Sequence, residues 1–214
     1  QKNLVLNAGN SGTAARLLLP LLNNSTDWIK ITGDQSLKKR DMTRIIKPLK
    51  LFGFKFKGKN KKLPILIKGP KILKPISYTE NLGSAQCKSA IMLAALKANG
   101  RTKLKCLPSR NHSELMFNYL MKIKTDIYKK NNYEFIKLDG LKEIKPFKYK
   151  IPGDISSASF FVVLALLSKK SSLIIKDVNT NPSRIGIIKI LNMMGSNIKF
   201  LNKRNYKGEE ISDI

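Results

Sequence analysis

Glycine, serine, threonine and asparagine crowd three short stretches of the sequence, each just ahead of an apolar run. They are Gly9-Asn10-Ser11-Gly12-Thr13 before 14–22, Gly83-Ser84-Ala85-Gln86 before 90–96, and Gly153-Asp154-Ile155-Ser156-Ser157 before 158–167. Such residues cap helix N-termini and leave backbone N–H groups open to an anion. Three such ends facing one cleft would hold phosphates and carboxylates, whereas each one alone is more simply an ordinary cap. Sharper motifs fail. Gly83–Ser89 lacks the glycine before Lys88 that a P-loop needs, and Gly9-Asn10-Ser11-Gly12 lacks the spacing of a nucleophile elbow. His112 stands beside Ser113, and sequence neighbours do not usually face each other as a catalytic pair must.

The elements that would position these residues recur with a period of about 70 residues, starting at Gly9, Gly83 and Gly153. Each apolar run is followed by a β-rich stretch: 28–32, 102–106 and 173–178. A second helix comes next. Residues 42–52 carry apolar side chains at 42, 45, 46, 49 and 52 and stop at Gly53, and 185–194 repeats the pattern and stops at Gly195. Residues 114–123 fill the same slot in the middle repeat. Short strands close each unit at 55–57 with 65–68, 127–129 with 134–138, and 198–201. Strands at 4–7 and 149–151 would enter the first and third. The unit reads as helix–strand–helix–strand–strand behind an entering strand, an α/β (α+β) pattern.

Composition narrows the function classes. The longest apolar run, Phe160 to Leu167, is far short of the roughly 20 residues of a membrane span, so no membrane partner is expected. Gln1-Lys2-Asn3-Leu4-Val5 shows no secretion signal and reads as the interior of a longer protein. Cys87 and Cys106 are too few for a disulfide framework and too far apart for a zinc knuckle, and with one histidine no metal or other cofactor is expected. Reduced cysteines fit the cytoplasm. The net charge of +27 invites a nucleic-acid reading. Against it, lysines are scattered along the chain and arginine is confined to positions 16, 40, 44, 101, 110, 184 and 204. The field is expected to draw small anions into a cleft, not nucleic acid.

Five ordered blocks resemble the EPSP synthases. Leu6-Asn7-Ala8-Gly9-Asn10-Ser11-Gly12-Thr13-Ala14-Ala15-Arg16 is similar to that family's Gly-Asn-(Ala/Ser)-Gly-Thr-x-x-Arg. Gly33-Asp34-Gln35-Ser36-Leu37-Lys38-Lys39-Arg40-Asp41-Met42 resembles its Gly-Asp-x-Ser block. Ser84-Ala85-Gln86-Cys87-Lys88-Ser89-Ala90 and Ser109-Arg110-Asn111-His112-Ser113-Glu114 match two more, in the form seen in Gram-positive-type enzymes, and Ile151-Pro152-Gly153-Asp154-Ile155-Ser156-Ser157-Ala158 matches the start of the family's other domain. The resemblance implies an inside-out α/β barrel of βαβαββ repeats in two domains, incomplete here. Residues 1–150 would be most of one domain and 151–214 one repeat of the other.

It also implies transfer of the enolpyruvyl group of phosphoenolpyruvate to the 5-hydroxyl of shikimate-3-phosphate, without a cofactor, in an enzyme monomeric at full length and competed by glyphosate. By the same resemblance Gly12 and Arg40 attend phosphoenolpyruvate, Ser84, Ala85, Gln86, Ser109 and Arg110 hold shikimate-3-phosphate with Gln86 between the two, and Thr13 and Arg16 are further substrate-binding residues. Arg16 reads equally as a structural helix arginine and Ser109 as a turn residue. Asp41 stands where the family has Pro, so a carboxylate beside Arg40 is expected to weaken its grip, and Asn111 replaces an Asp. The family's early Lys-Ser-x-x-x-Arg block and its later acid–base blocks do not occur, so no catalytic acid or base is assigned. Two alternatives stand: a UDP-N-acetylglucosamine enolpyruvyl transferase, which uses a reactive cysteine, and a non-catalytic anion-binding remnant.

Overall fold

The structure, a computed structural model, describes residues 4–25 and 27–214. Its first sheet runs β1 (Val5–Asn7), β2 (Ile29–Thr32), β4 (Ile65–Lys68), β3 (Lys55–Lys57) in spatial order. β1 and β2 are parallel and the other pairs antiparallel. A second sheet repeats this arrangement as β5 (Ser77–Glu80), β6 (Arg101–Cys106), β8 (Tyr133–Asp139) and β7 (Asp126–Lys130), with β5 and β6 parallel. The third repeat has β9 (Val178–Asn179), β11 (Glu209–Asp213) and β10 (Leu201–Tyr206) in the same order, and a parallel bridge from Gly153 to Val178 stands where the entering strand would lie. One topology recurs three times, as the period of the sequence requires.

Two compact units divide the chain. One comprises the residues up to Ser109 with Lys124–Glu143, the other Arg110–Ile123 with Ile144–Ile214. The first unit is centred on α4 (Ala85–Ala95), which packs on α1 (Gly12–Leu17) and α3 (Thr43–Leu51). Ala90, Ala94 and Ala95 are fully buried on α4, and their small side chains let its neighbours approach closely. α3 carries Pro48 in its interior. Proline has no N–H to give the carbonyl four residues back, and that carbonyl, on Arg44, instead accepts from Cys87 Sγ of α4 at 3.1 Å. A helix defect thus becomes a tie between helices. In the second unit α6 (Ile155–Leu167) and α7 (Gly186–Met193) share a core of Ile155, Ala158, Val162, Val178, Ile188 and Ile214.

Several elements differ from expectation. The first helix ends at Leu17 and continues as a 3-10 turn over Leu19–Leu21, where Pro20 interrupts the α ladder. A short helix, α2 (Gln35–Lys39), follows β2. The expected helix at 114–123 is α5 (His112–Leu115) running into a π-helical turn over Met116–Leu120. Of the strand expected at 173–178 only the end becomes one, as Val178–Asn179, although Ile175 and Ile214 also exchange backbone hydrogen bonds at 2.8 and 2.9 Å, and no strand forms at 149–151. The expected strand at 198–201 lies later, as the hairpin β10–β11 turning on Lys207 and Gly208, both with positive φ. That geometry suits a tight hairpin, but Lys-Gly is a weaker signal than Asn-Gly and β10 is polar on both faces.

Candidate active site

The site of the first unit lies at the C-terminal ends of parallel strands, where open α/β sheets place their ligand crevices. After β1 the chain turns at Gly9, whose N–H donates to Asn7 Oδ1 at 3.0 Å, and Ser11 caps α1 by accepting from Ala14 N at 3.0 Å. After β2 it passes Gly33, where a Cβ would lie 2.7 Å from the Gly9 carbonyl oxygen. Only glycine allows that approach. Asp34 then caps α2 by accepting from Leu37 N at 2.7 Å and also accepts from Asn10 Nδ2. The two loops are locked together, and α2 delivers Arg40 from its far end.

Arg16 and Arg40 converge on Gly12. A Cβ there would sit 2.9 Å from Arg16 Nη1 and 3.1 Å from Arg40 Nη1. Arg16 is buried; Nη1 donates to Gln86 Oε1 at 2.8 Å, Nη2 to the Asp41 carbonyl at 3.3 Å, and its Nε has no partner. Gln86 Nε2 in turn donates to Thr13 Oγ1 at 3.0 Å. Among the described residues neither arginine forms an ion pair with a carboxylate. Burial and the positive charges of Arg44 and Arg40 lower the Arg16 pKa, with Asp41 acting the other way. Crowded cations of this kind are relieved by an anion.

Gly12, Thr13, Arg16, Arg40 and Gln86 are therefore brought together. Ser84 caps α4 by accepting from Cys87 N at 3.3 Å, and Ala85 opens the helix. Their loop is set by Glu80, which the sequence reading missed: its buried carboxylate accepts from Leu82 N at 2.9 Å and Ser84 N at 3.1 Å. The only sequence signal was an acidic residue closing a strand ahead of a glycine turn. Gly83 packs beside Leu107 and Pro108, so the turn leading to Ser109 adjoins this loop. Ser109 Oγ is buried without a partner, and Arg110 is an exposed member of the second unit.

Two expectations are corrected. Asp41 does not engage Arg40; its Oδ1 accepts from Thr43 N at 2.7 Å and Thr43 Oγ1 at 2.6 Å, holding the carboxylate at the start of α3. The third helix start is not an open anion site either. The Asp154 carboxylate stands at its N-cap, and Asp154 Oδ1 and Ser156 Oγ each accept from Arg184 Nη2 at 2.7 Å, so the helix start already carries a side-chain anion that is itself paired with a cation.

A βαβαββ arrangement that recurs three times, its third copy entered by a bridge instead of a strand, with two guanidinium groups converging on Gly12 at the strand ends of the first unit, defines a repeat-built α/β chain. Residues 1–212 match the family of EPSP synthase (3-phosphoshikimate 1-carboxyvinyltransferase). The 3-phosphoshikimate 1-carboxyvinyltransferase of Petrotoga mobilis is 44% identical over 98% of this chain and 48% of its own length, and that of Caldicellulosiruptor saccharolyticus 45% over 98% and 49%. The EPSP synthase of Acinetobacter baumannii superposes with a TM-score of 0.80 at 38% identity, covering 98% of this chain and 47% of that one. The chain belongs to the EPSP synthase family. It spans about half the length of the curated relatives it matches.

Proposed function

We propose that this chain supplies the substrate-holding part of an enzyme that joins phosphoenolpyruvate to shikimate-3-phosphate. In that reaction the 5-hydroxyl oxygen loses its proton and bonds to the enol carbon while the neighbouring methylene carbon takes up a proton, giving a tetrahedral intermediate. Loss of a proton from the new methyl group and cleavage of the carbon–oxygen bond to phosphate then restore the double bond and release phosphate. Membership of the family supports the reading. The observation that carries it is the convergence of Arg16 and Arg40 on Gly12 without a carboxylate partner, with Gln86 spanning Arg16 and Thr13.

Gly12 leaves room for phosphoenolpyruvate beside the two guanidinium groups, which meet phosphate or carboxylate as planar forks. Gln86 stands between the two ligands, and Ser84, Ala85, Ser109 and Arg110 face the phosphorylated ring. Residues 1–150 form most of one domain and 151–214 one repeat of the other, in a monomeric enzyme at full length. Cytoplasmic placement is supported by two buried cysteines that form no disulfide; no helix among the described residues is long and apolar enough to cross a membrane. A cysteine-dependent relative gains no support, because burial, followed by the charge of Glu80, pushes the Cys87 thiol up to about 12.

The test is phosphate release from the two substrates by this chain within its longer protein. Release that Arg40→Ala lowers by at least a hundredfold fits the assignment. Release from phosphoenolpyruvate with UDP-N-acetylglucosamine instead, or none with either, overturns it.

A further inference from the structure

The second unit holds a polar cluster that the proposed site does not use. Glu209, the first residue of β11, is buried, and its Oε1 lies 2.6 Å from His112 Nδ1. Its Oε2 accepts from Asn179 Nδ2 at 3.0 Å and Asn181 Nδ2 at 3.1 Å. Asn181 Nδ2 also donates to Asn111 Oδ1 at 2.8 Å, while its Oδ1 accepts from Ser183 N at 2.9 Å and Ser183 Oγ at 2.7 Å. A buried carboxylate is costly without partners; here both oxygens have them. The pairing fixes Nδ1 as the proton-bearing nitrogen of His112, and a carboxylate behind an imidazole orients the ring.

A second anchor lies one residue earlier. Gly208 packs on the Tyr119 ring so closely that a Cβ would fall 2.3 Å from its Cδ2. The hairpin β10–β11 therefore grips the segment 110–123 at His112 and at Tyr119. The gripped residues begin directly after Arg110, which is exposed and has no fixed side-chain partner of its own among the hydrogen bonds and ion pairs of the described residues. A guanidinium on a loose loop would lose orientation entropy on each binding event. One held at its base would not.

We propose that Glu209 is a positioning residue for Arg110: through His112, and through Asn181 and Asn111, it fixes the backbone from which Arg110 reaches the phosphorylated substrate. This rests on the reading that Arg110 binds shikimate-3-phosphate. Nothing in the proposed site marks Glu209 itself, which lies about a hundred residues further on.

The test compares the unaltered chain with Glu209→Gln, His112→Gln and the double variant. Glu209→Gln keeps the shape and removes the charge. Amide exchange over 110–123 and the downfield proton signal of His112 Nδ1–H report the clamp. Calorimetry with shikimate-3-phosphate reports its consequence, and titration with inorganic phosphate, read at Arg16 and Arg40, is the control. Each single variant is expected to weaken shikimate-3-phosphate binding roughly tenfold, the double variant no more than either alone. Exchange should quicken, the downfield signal vanish, and phosphate binding in the first unit stay unchanged. Asn111→Ala cuts only the Asn181 link and should act in the same direction if Glu209→Gln fails to fold. Unchanged exchange overturns the clamp, and faster exchange with unchanged affinity overturns the positioning role. No binding of shikimate-3-phosphate by the unaltered chain, with the clamp signals intact, overturns the reading of Arg110 and with it this role.

Discussion

Replacing Gln86 separates stability from binding with opposite signs. Arg16 is 8% exposed and its Nε already has no partner. Gln86→Ala removes the 2.8 Å acceptor of Nη1 and leaves a second unsatisfied donor, beside the like charges of Arg40 and Arg44. A hydrogen bond to a charged group contributes about 1.5–3 kcal/mol, and water reaching part of the guanidinium favours the lower end. At roughly 2–4 °C per kcal/mol for a chain of this size, Tm should fall by about 3–6 °C. Gln86→Glu has the reverse effect on stability: the same geometry now pairs a carboxylate with Arg16, so Tm should hold or rise. Yet that carboxylate neutralises the crowd of cations, and phosphoenolpyruvate and shikimate-3-phosphate should both bind at least tenfold more weakly, a loss of about 1.4 kcal/mol or more. Scanning calorimetry and isothermal titration read the two effects on the same samples. If Gln86→Glu melts higher and still binds both anions like the parent, the cationic cluster is not the ligand site.

Within its longer protein, Gly12→Ala should raise the glyphosate inhibition constant well above any rise in KM for phosphoenolpyruvate. The new methyl would press on guanidinium tips 2.9 and 3.1 Å away, and overpacking costs about 1–3 kcal/mol, most for the longer ligand; equal inhibition of both proteins would remove Gly12 from the pocket. The 214-residue chain alone should release no phosphate from the two substrates, and turnover in a preparation free of host enzyme would contradict the assignment of roles. Cys87, with its pKa near 12, should resist alkylation at pH 8 until the chain unfolds, and rapid modification of the native state would contradict its burial. Glu209 gives the second unit an acid limit. Burial raises its pKa, but hydrogen bonds from His112, Asn179 and Asn181 outweigh this and hold it below 4.5. Its stabilisation is therefore present above the ordinary carboxyl range and lost as pH falls through the lowered value. Near-UV dichroism in an acid titration should show this loss, and Glu209→Gln should flatten it.

The repeat was legible because each unit re-uses one grammar: a small-residue helix start, an apolar run, a strand, and a second helix, stopped by glycine in the first and third units. The hairpin β10–β11 was not, since the interior of Leu201–Tyr206 is polar and its pairing comes from the turn at Lys207-Gly208 and from tertiary contact. Helix ends moved where proline intervened, at Pro20, while Pro48 was carried inside α3 because Cys87 takes up the carbonyl it orphans. In the candidate site, the glycines stood out by type and spacing, and the arginines through the resemblance to a known family. The residues that orient them did not. Glu80 and Glu209 act through buried carboxylates on backbone and side chains brought near only by folding, and the sequence around them is ordinary. Asp41 misled for the same reason: adjacency to Arg40 suggested an ion pair, whereas the start of α3 offered Thr43 as a nearer and better-directed donor.

The most direct test of the site is a crystal structure of the chain grown with shikimate-3-phosphate and phosphoenolpyruvate. The account predicts an anion within about 3 Å of the guanidinium of Arg40, lying over Gly12, with the phosphorylated ring against Gln86 and Arg110. Ligands bound away from Gly12, with Arg16 and Arg40 still converging on an anion-free site, would contradict it.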